Sequence, residues 1–249
     1  MKSPKKLAAA IARRIFSPLV PARKMLPFMC WLNGIAADYD PYLGHINLFY
    51  GSARTAVDIG ANIGLYTYLF SKRFRHVYAF EMNSEITGWI KQYNPGNIEL
   101  SQCGLSSQAG TAKYYIPVAH GLNLAGYATL HRDILPEADG CVEKESRVAP
   151  LDEFAITSID FMKIDVEGHE LEVLKGAAKT IEQSRPVILI EVQTMNERTV
   201  EAWFQALNYR QCRYLPKNRL VVLTEFLPST GDCLYIPSER LAAFGLALS

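Results

Sequence analysis

The segment from Val57 to Lys72, VDIGANIGLYTYLFSK, constrains the fold of this chain more than any other. An apolar run, a turn with two glycines and a run with apolar residues at helical spacing follow one another. This order predicts a buried strand, a tight turn and an amphipathic helix. Gly60 and Gly64 allow the backbone to turn sharply and to approach a ligand closely, because neither carries a Cβ atom. In α/β folds, such a strand, turn and helix build a nucleotide-type pocket.

The spacing of the turn, D-x-G-x-N-x-G, differs from the G-x-G-x-x-G of dinucleotide-binding proteins. The carboxylate of Asp58 would repel a pyrophosphate, whereas it suits a cationic ligand. S-adenosylmethionine carries a sulfonium and an ammonium, so we expect the turn to hold its amino-acid part. The residues of the turn predicted to bind this cofactor are Asp58, Gly60, Asn62 and Gly64. In the alternative interpretation, Asp58 and Asn62 only satisfy loop amides and the glycines only turn the chain.

The next predicted strand, HVYAFEMN, ends in an acid. Glu81 lies about twenty residues beyond the glycine turn, where α/β folds place the acid that binds the ribose hydroxyls. An isolated acid at a strand end can also be an ordinary solvated residue. The position after this particular turn favours a ribose ligand.

Two further buried strands are predicted by FMKIDVEGHELEVLKGA, which begins at Phe161, and by PVILIEV, which begins at Pro186. Asp165 ends the first strand, and Glu191 lies near the end of the second. Open α/β sheets bind their ligands at the carboxyl ends of the strands, so the strand-end acids should converge on one crevice. These convergent acids are Asp58, Glu81, Asp165 and Glu191.

In this order, the strings DIGANIGLYT, AFEMN, LDEF, KIDVEGHELEVLKGA and ILIEV resemble the FkbM family of S-adenosylmethionine-dependent methyltransferases. The resemblance runs from Ala53 to Pro237, and KIDVEGHE is its most specific part. It implies the α/β, Rossmann-like fold of class I methyltransferases, with a seven-stranded sheet of order 3-2-1-4-5-7-6 and helices on both faces. It also implies methyl transfer to a hydroxyl of a sugar, glycolipid or polyketide-like acceptor. Finally, it places Ser106 near the adenine ring, although serine is equally common as a plain turn residue.

Methyl transfer to a hydroxyl needs a base, and the segment after the fourth predicted strand supplies candidates. His169 lies beside the strand-end acids, and an imidazole pKa of about 6.5 suits a base at neutral pH. Asp165 and Glu167 compete with it for this role, and His169 can instead cap or pack the following helix. Asp165 and Glu191 can also hold a divalent cation. We favour a metal-independent site, because Lys163 or backbone amides can orient the same acids.

Length and composition fit one α/β domain with appendages, since 249 residues, of which 49% are hydrophobic, can bury a substantial core. Together with the family resemblance, this predicts a methyltransferase domain over residues 51–249. The five cysteines form no C-x-x-C pair and leave one unmatched. This argues against a disulfide framework or a zinc site and favours a reducing, cytoplasmic location.

The segment from Pro117 to Pro150 is rich in Gly, Pro, Asn and His and has few apolar runs, which predicts a substrate or lid loop. Candidates within it for contact with the acceptor are Asn123, Tyr127, Thr129 and His131. Further along, a helix is predicted over Glu197–Leu207 and a strand over Tyr209–Tyr214. An irregular connection then leads to a last strand, GDCLYIP.

Residues 1–50 are predicted to be a basic N-terminal helical appendage, since the first 24 residues hold seven Lys or Arg and no acid. Its strings KKLAAAIARRIF and MLPFMCWL fall short of the run of about twenty apolar residues that spans a membrane. Arg13 and Arg14 would also interrupt a signal peptide. One interpretation is peripheral contact with the anionic inner membrane surface. The favoured one is a helix that packs on the domain or covers its active site.

Nucleic acid is an unfavoured partner, because the body of the chain lacks a basic stripe and has no D-P-P-Y string for extracting a base. Two other functions are compatible with the predicted fold. One is a non-catalytic cofactor-binding scaffold or partner subunit, and the other is aminopropyl transfer. The intact glycine turn and Glu81 argue against a scaffold whose pocket no longer works, because loss of any of these residues would have favoured it.

Overall fold

The computed structural model describes residues 19–32, 53–119, 121–134, 139–215, 219–223 and 232–246. In chain order the strands are β1 Thr55–Ile59, β2 His76–Phe80, β3 Ile98–Ser101, β4 Gly104–Leu105, β5 Gly110–Ala119, β6 Leu122–Asn123, β7 Gly140–Ala149, β8 Ile159–Ile164, β9 Val187–Glu191, β10 Tyr209–Leu215, β11 Arg219–Val222 and β12 Asp232–Pro237. The α-helices are α1 Ala22–Leu32, α2 Leu65–Ser71, α3 Gly88–Tyr93, α4 Glu170–Gly176, α5 Ala178–Ser184 and α6 Glu197–Ala206.

The main sheet has eight strands in the order β3-β2-β1-β8-β9-β12-β10-β11. Strands β3, β2, β1, β8 and β9 are parallel, and β12 runs antiparallel between β9 and β10. The first seven strands follow the predicted class I order, so the predicted fold class is confirmed. The predicted count of seven is wrong by one, because Arg219–Val222 forms β11 where an irregular connection was expected. This strand pairs with β10 and covers an edge that would otherwise leave backbone groups unpaired.

Helices cover both faces of this sheet, each over its own apolar layer. On one face, Leu26 of α1, Phe70 of α2 and Ile90 of α3 join a buried cluster. On the other face, the buried cluster includes Leu174 of α4 and Phe204 of α6. The central strands are buried on both sides, which explains why their sequences are nearly continuous apolar runs rather than alternating ones.

The described part of the N-terminal segment is centred on α1, which contains MLPFMCWL. Leu26 and Cys30 on one side of this helix are buried in the same cluster as α2 and α3. Over this stretch the segment packs on the domain. The string KKLAAAIARRIF and residues 33–50 lie outside the described residues.

A second, smaller sheet follows the third strand of the main one, in the order β4-β7-β5-β6. Strands β5 and β7 form a long antiparallel hairpin, so the prediction of an irregular loop from Pro117 to Pro150 is wrong over Gly140–Ala149. Most residues of both strands are exposed or half-buried, and they include charged residues such as Lys113 and Glu143, whose side chains pair at 2.6 Å. A solvated strand has no continuous apolar run, so β7 could not be recognised in the sequence.

Between these two strands lies an excursion over residues 121–134, which we call the cover segment. It includes β6 and short 3₁₀ turns at Ala125–Tyr127 and Arg132–Ile134. Its later part pairs back onto β5, since the amide of Tyr115 donates to Thr129 O (2.8 Å) and the amide of Thr129 donates to Tyr115 O (3.0 Å). This pairing fixes where the cover segment lies.

Candidate active site

A pocket opens at the carboxyl ends of β1, β2 and β8, beneath the cover segment. The space between its walls, open mouth included, is about 580 Å³. The predicted site residues that line it are Gly60, Asn62, Glu81, Asp165, Glu167 and His169. The structure therefore brings together six residues that are up to 109 positions apart in the chain.

Gly60 lies where the loops after β1 and β8 touch. Its φ angle is +76°, and a Cβ atom there would lie 1.8 Å from the carbonyl oxygen of Asp165. The amide of Asp165 in turn donates to the carbonyl of Ile59 at 2.9 Å. Only a residue without a side chain permits this approach, so Gly60 sets the shape of the pocket floor.

Glu81 ends β2 with its carboxylate held by two backbone amides. The amide of Asn62 donates to Oε2 and that of Asn83 donates to Oε1, both at 2.8 Å. Burial raises the pKa of Glu81 to about 7, although both amides favour the charged form. A carboxylate has about four acceptor positions, so each oxygen retains one for a further donor. Because Glu81 lines the pocket, a vicinal diol such as that of ribose suits these positions.

Three predicted cofactor residues do not line the pocket. Asp58 is only 2% exposed, accepts a hydrogen bond from Thr67 Oγ1 (2.5 Å), and has its pKa raised by burial to about 6. Gly64 faces α1 and α3, where an added Cβ would lie 2.3 Å from Ile90 Cγ1. The hydroxyl of Ser106 forms a hydrogen bond with the ring of His169. Cofactor contact by these three residues therefore stays a prediction, and Gly64 also allows two helices to pack.

Lys163 supplies a positive charge among the strand-end acids. Its ammonium is 3.1 Å from Asp165 Oδ2, 3.6 Å from Asp232 Oδ1 and 4.5 Å from the centre of the Tyr66 ring. Its side chain is only 4% exposed. Burial disfavours the charged form, but the charges of Asp165 and Asp232 outweigh it and raise the pKa of Lys163. The lysine is therefore charged and offsets the repulsion between the acids.

Replacing this cation is expected to destabilise the protein in a pH-dependent manner. Lys163→Met leaves the half-buried Asp165 and Asp232 without their cation, which costs about 1–3 kcal/mol of unfolding free energy at a pH of about 8. The loss should shrink at a pH of about 5, because acids with raised folded pKa values, such as Glu167 and Glu191, take up protons in the folded state as the pH falls. Urea unfolding at both pH values measures this difference. Lys179→Met, on the exposed side of α5, is the control, and an equal loss for Lys163→Met at both pH values would contradict the account.

Glu167 lies in the pocket wall with a pKa suited to accepting a proton. Burial, followed by the charges of Asp165 and Glu191, raises the pKa of Glu167 to about 7. Gln193 Nε2 donates to its carboxylate at 3.5 Å, so this contact is weak. The residue has a positive φ of 48°, an uncommon backbone conformation for glutamate that is found at functional turns.

His169, the first-named candidate base, has both ring nitrogens engaged. Nε2 is 2.9 Å from Ser106 Oγ, and Nδ1 is 3.0 Å from Nε2 of His131. Burial and His131 lower the pKa of His169 to about 4. An imidazole in this setting is a weak base, so the geometry favours Glu167 over His169 for removing a proton.

The cover segment is fastened to the loops beneath it. Asn62 Nδ2 donates to Gly126 O at 3.2 Å, and Thr129 Oγ1 donates to Glu167 O at 2.7 Å. The residues of the segment that line the pocket are Ala125, Gly126, Ala128 and Leu130. Thus Thr129 and His131 hold the segment in place, whereas Asn123 and Tyr127, also predicted to contact the acceptor, are exposed and lie outside the lining.

The predicted alternative metal ligands, Asp165 and Glu191, lie in the cluster that contains Lys163. Within the described ranges, no group of three or more His, Cys, Asp and Glu side chains is placed to hold a metal ion. All five cysteines are free thiols.

Comparison with known proteins agrees with this architecture. The sequence model of the methyltransferase FkbM domain family matches residues 58–215 of this chain. Hexuronic acid methyltransferase AglP of Haloferax volcanii is 30% identical over 143 residues, covering 54% of each chain. Methyltransferase sdnD of Sordaria araneosa is 31% identical over 156 residues, covering 48% of this chain and 59% of its own. The chain thus spans little more than half the length of these curated relatives.

Among solved structures, methyltransferase FkbM from Methylobacillus flagellatus KT superimposes with a TM-score of 0.50 at 18% identity. The match covers 90% of this chain and 60% of that one, and at this identity it shows the fold. The family model spans well over half of the sequence, from the end of β1 to the end of β10. The chain therefore belongs to the FkbM methyltransferase family.

Proposed function

We propose that this protein is an S-adenosylmethionine-dependent methyltransferase that acts on a hydroxyl of a sugar, glycolipid or polyketide-like acceptor. The observation that carries the proposal is the single pocket in which Glu81, Asp165 and Glu167 meet at the carboxyl ends of neighbouring strands. This is where parallel α/β sheets bind their ligands. Family membership supports the same reaction class.

The residues present fit the cofactor. Glu81 has free acceptor positions for the two ribose hydroxyls, and Asp165 in the pocket wall would pair with the ammonium. Met82, Ile86 and Leu105 form an apolar wall suited to the adenine ring. When bound, the cofactor supplies an electrophilic methyl group on a sulfonium. Buried Asp58 adds negative charge behind the same turn.

We assign the role of general base to Glu167. A carboxylate whose pKa lies close to neutral pH can accept the proton of an acceptor hydroxyl and is still ionised above that pH. The Thr129 hydroxyl that binds the Glu167 carbonyl orients this residue, and His169 holds the cover segment through His131. Closure of the cover segment would exclude water from the pocket, which favours transfer to the acceptor over side reactions.

An assay of methyl transfer tests the proposed function. Purified protein is incubated with S-adenosylmethionine carrying a labelled methyl group and, in separate reactions, with neutral hexosides, hexuronic acids and glycolipids. The hexuronic acids are included because the name of one relative specifies that substrate. We expect label in at least one hydroxylated acceptor, and far less label with Glu81→Ala at a cofactor concentration that just saturates the wild type. If the cofactor binds but no acceptor is labelled, the scaffold function is supported instead.

A further inference from the structure

Helix α1 has two apolar faces, and in the described part of the chain only the inner one packs against the domain. Met25, Leu26 and Met29 are buried against the domain. On the outer side, the rings of Phe28 and Trp31 stack with their centres 6.1 Å apart. Trp31 is nevertheless 74% exposed, so this stack does not serve the core.

The outer face continues into the residues before the helix. Leu19 is 76% exposed, and together with Val20, Pro21 and Pro27 it borders a shallow apolar depression beside the aromatic stack. Lys24 lines the same depression. We call this surface, from Leu19 to Trp31, the outer α1 face. Large exposed aromatic and aliphatic groups next to a lysine are typical of surfaces that bind a partner.

The charge of this part of the chain indicates which kind of partner the outer α1 face binds. Arg23 and Lys24 are both exposed, Lys24 lines the depression, and no Asp or Glu precedes Asp38 in the sequence. The first 37 residues hold seven of the 26 Lys and Arg and none of the 25 Asp and Glu, so the remainder has 19 basic against 25 acidic residues. A basic apolar surface on an otherwise acidic protein is complementary to a negatively charged surface that also accepts apolar groups.

We propose that the outer α1 face binds the surface of an anionic phospholipid membrane. Tryptophan rings favour the boundary between lipid headgroups and acyl chains, and basic residues are attracted to anionic headgroups. No helix in the described part of the chain is long and apolar enough to cross a membrane. The proposed contact is peripheral, with the apolar and basic side chains of α1 lying along the surface.

This contact would bring the candidate active site close to lipid. Leu26, on the inner side of α1, lies 3.3 Å from the position that a Cβ atom at Gly64 would occupy. Gly64 ends the turn that contains Asn62, and Asn62 lines the pocket. The inference does not depend on the proposed reaction, because it rests on the outer α1 face and on the charge of the N-terminal segment.

Vesicle co-sedimentation of the full chain tests the proposal. We expect binding to vesicles of equal parts phosphatidylcholine and phosphatidylserine, and at least tenfold weaker binding to phosphatidylcholine alone. Lys24→Glu and Trp31→Ala should each weaken binding to the anionic vesicles by about tenfold. Matched controls at exposed positions outside the outer α1 face, Lys179→Glu and Met195→Ala, should bind as the wild type does.

Tryptophan fluorescence adds a readout for insertion of the ring. Anionic vesicles should shift the wild-type emission to shorter wavelength, and Trp31→Phe should abolish the shift while the protein still sediments. All variants are exposed-site changes, and thermal unfolding verifies that they fold. Equal sedimentation with both vesicle types, or equal effects of the test and control variants, would overturn the proposal. Self-association through this face without vesicle binding, seen by analytical ultracentrifugation, would overturn it as well.

Discussion

Glu167→Gln is expected to lower kcat for methyl transfer by about two to four orders of magnitude, with little change in the affinity for S-adenosylhomocysteine. The amide is close in shape to the carboxylate but cannot accept the proton of the acceptor hydroxyl. Because burial and the neighbouring acids raise the pKa of Glu167 to about 7, wild-type kcat at saturating cofactor should rise with pH and level off above that value. The rising limb should be absent from the variant.

Two further variants make this prediction specific. Glu182→Gln, on α5 on the other side of the sheet from α1 to α3, should leave kcat unchanged. His169→Gln should cost less than about tenfold, because His169 has a lowered pKa and both ring nitrogens engaged. If His169→Gln were more damaging than Glu167→Gln and removed the rising limb, the base would be His169 and our assignment would be wrong.

Gly60→Ala should destabilise the protein by about 2–5 kcal/mol, the combined cost of a strained positive φ and of overpacking. The added methyl group would meet the backbone oxygen of Asp165, which cannot rotate away as a flexible side chain can. The loops after β1 and β8 would have to separate, so binding of S-adenosylhomocysteine should also be lost. Urea unfolding and calorimetric titration measure the two effects.

Gly88→Ala is the matched control for this substitution. Gly88 opens α3, and a Cβ atom there would meet nothing within 4 Å. Its replacement should leave cofactor binding unchanged and should stabilise the helix by up to about 1 kcal/mol. A Gly60→Ala protein as stable as Gly88→Ala would show that the two loops are not held as closely as the structure indicates.

The sequence was sufficient to predict the residues that line the floor of the site. Glycine spacing located Gly60, and strand ends located Glu81 and Asp165, because parallel strands bring their carboxyl ends to one edge. The class I strand order, in contrast, was implied by the resemblance to the FkbM family. The glycine spacing also selected Gly64 as a cofactor residue, because a glycine needed for ligand approach and one needed for helix packing look alike in a sequence.

Other features depend on contacts between distant parts of the chain. The low pKa of His169 arises from burial and from His131, 38 positions away, and the raised pKa of Glu167 arises from burial and from strand-end acids. The cover segment contributes small residues such as Ala125 and Ala128 to the pocket, and small apolar residues carry no chemical signal. The sequence analysis predicted that polar residues of the cover segment contact the acceptor, but Thr129 and His131 instead hold the segment in place.

The central claim is that Glu81 and its neighbours form a site for an adenosyl cofactor. Calorimetric titration with S-adenosylhomocysteine of the wild type, Glu81→Ala and Glu99→Ala tests it most directly. Glu99 is an exposed acid on the adjacent strand β3. We expect saturable one-to-one binding by the wild type and by Glu99→Ala, and binding weaker by on the order of a hundredfold for Glu81→Ala, which loses two hydrogen bonds to a charged group. No binding by folded wild-type protein, or equal affinities for the two variants, would contradict the account.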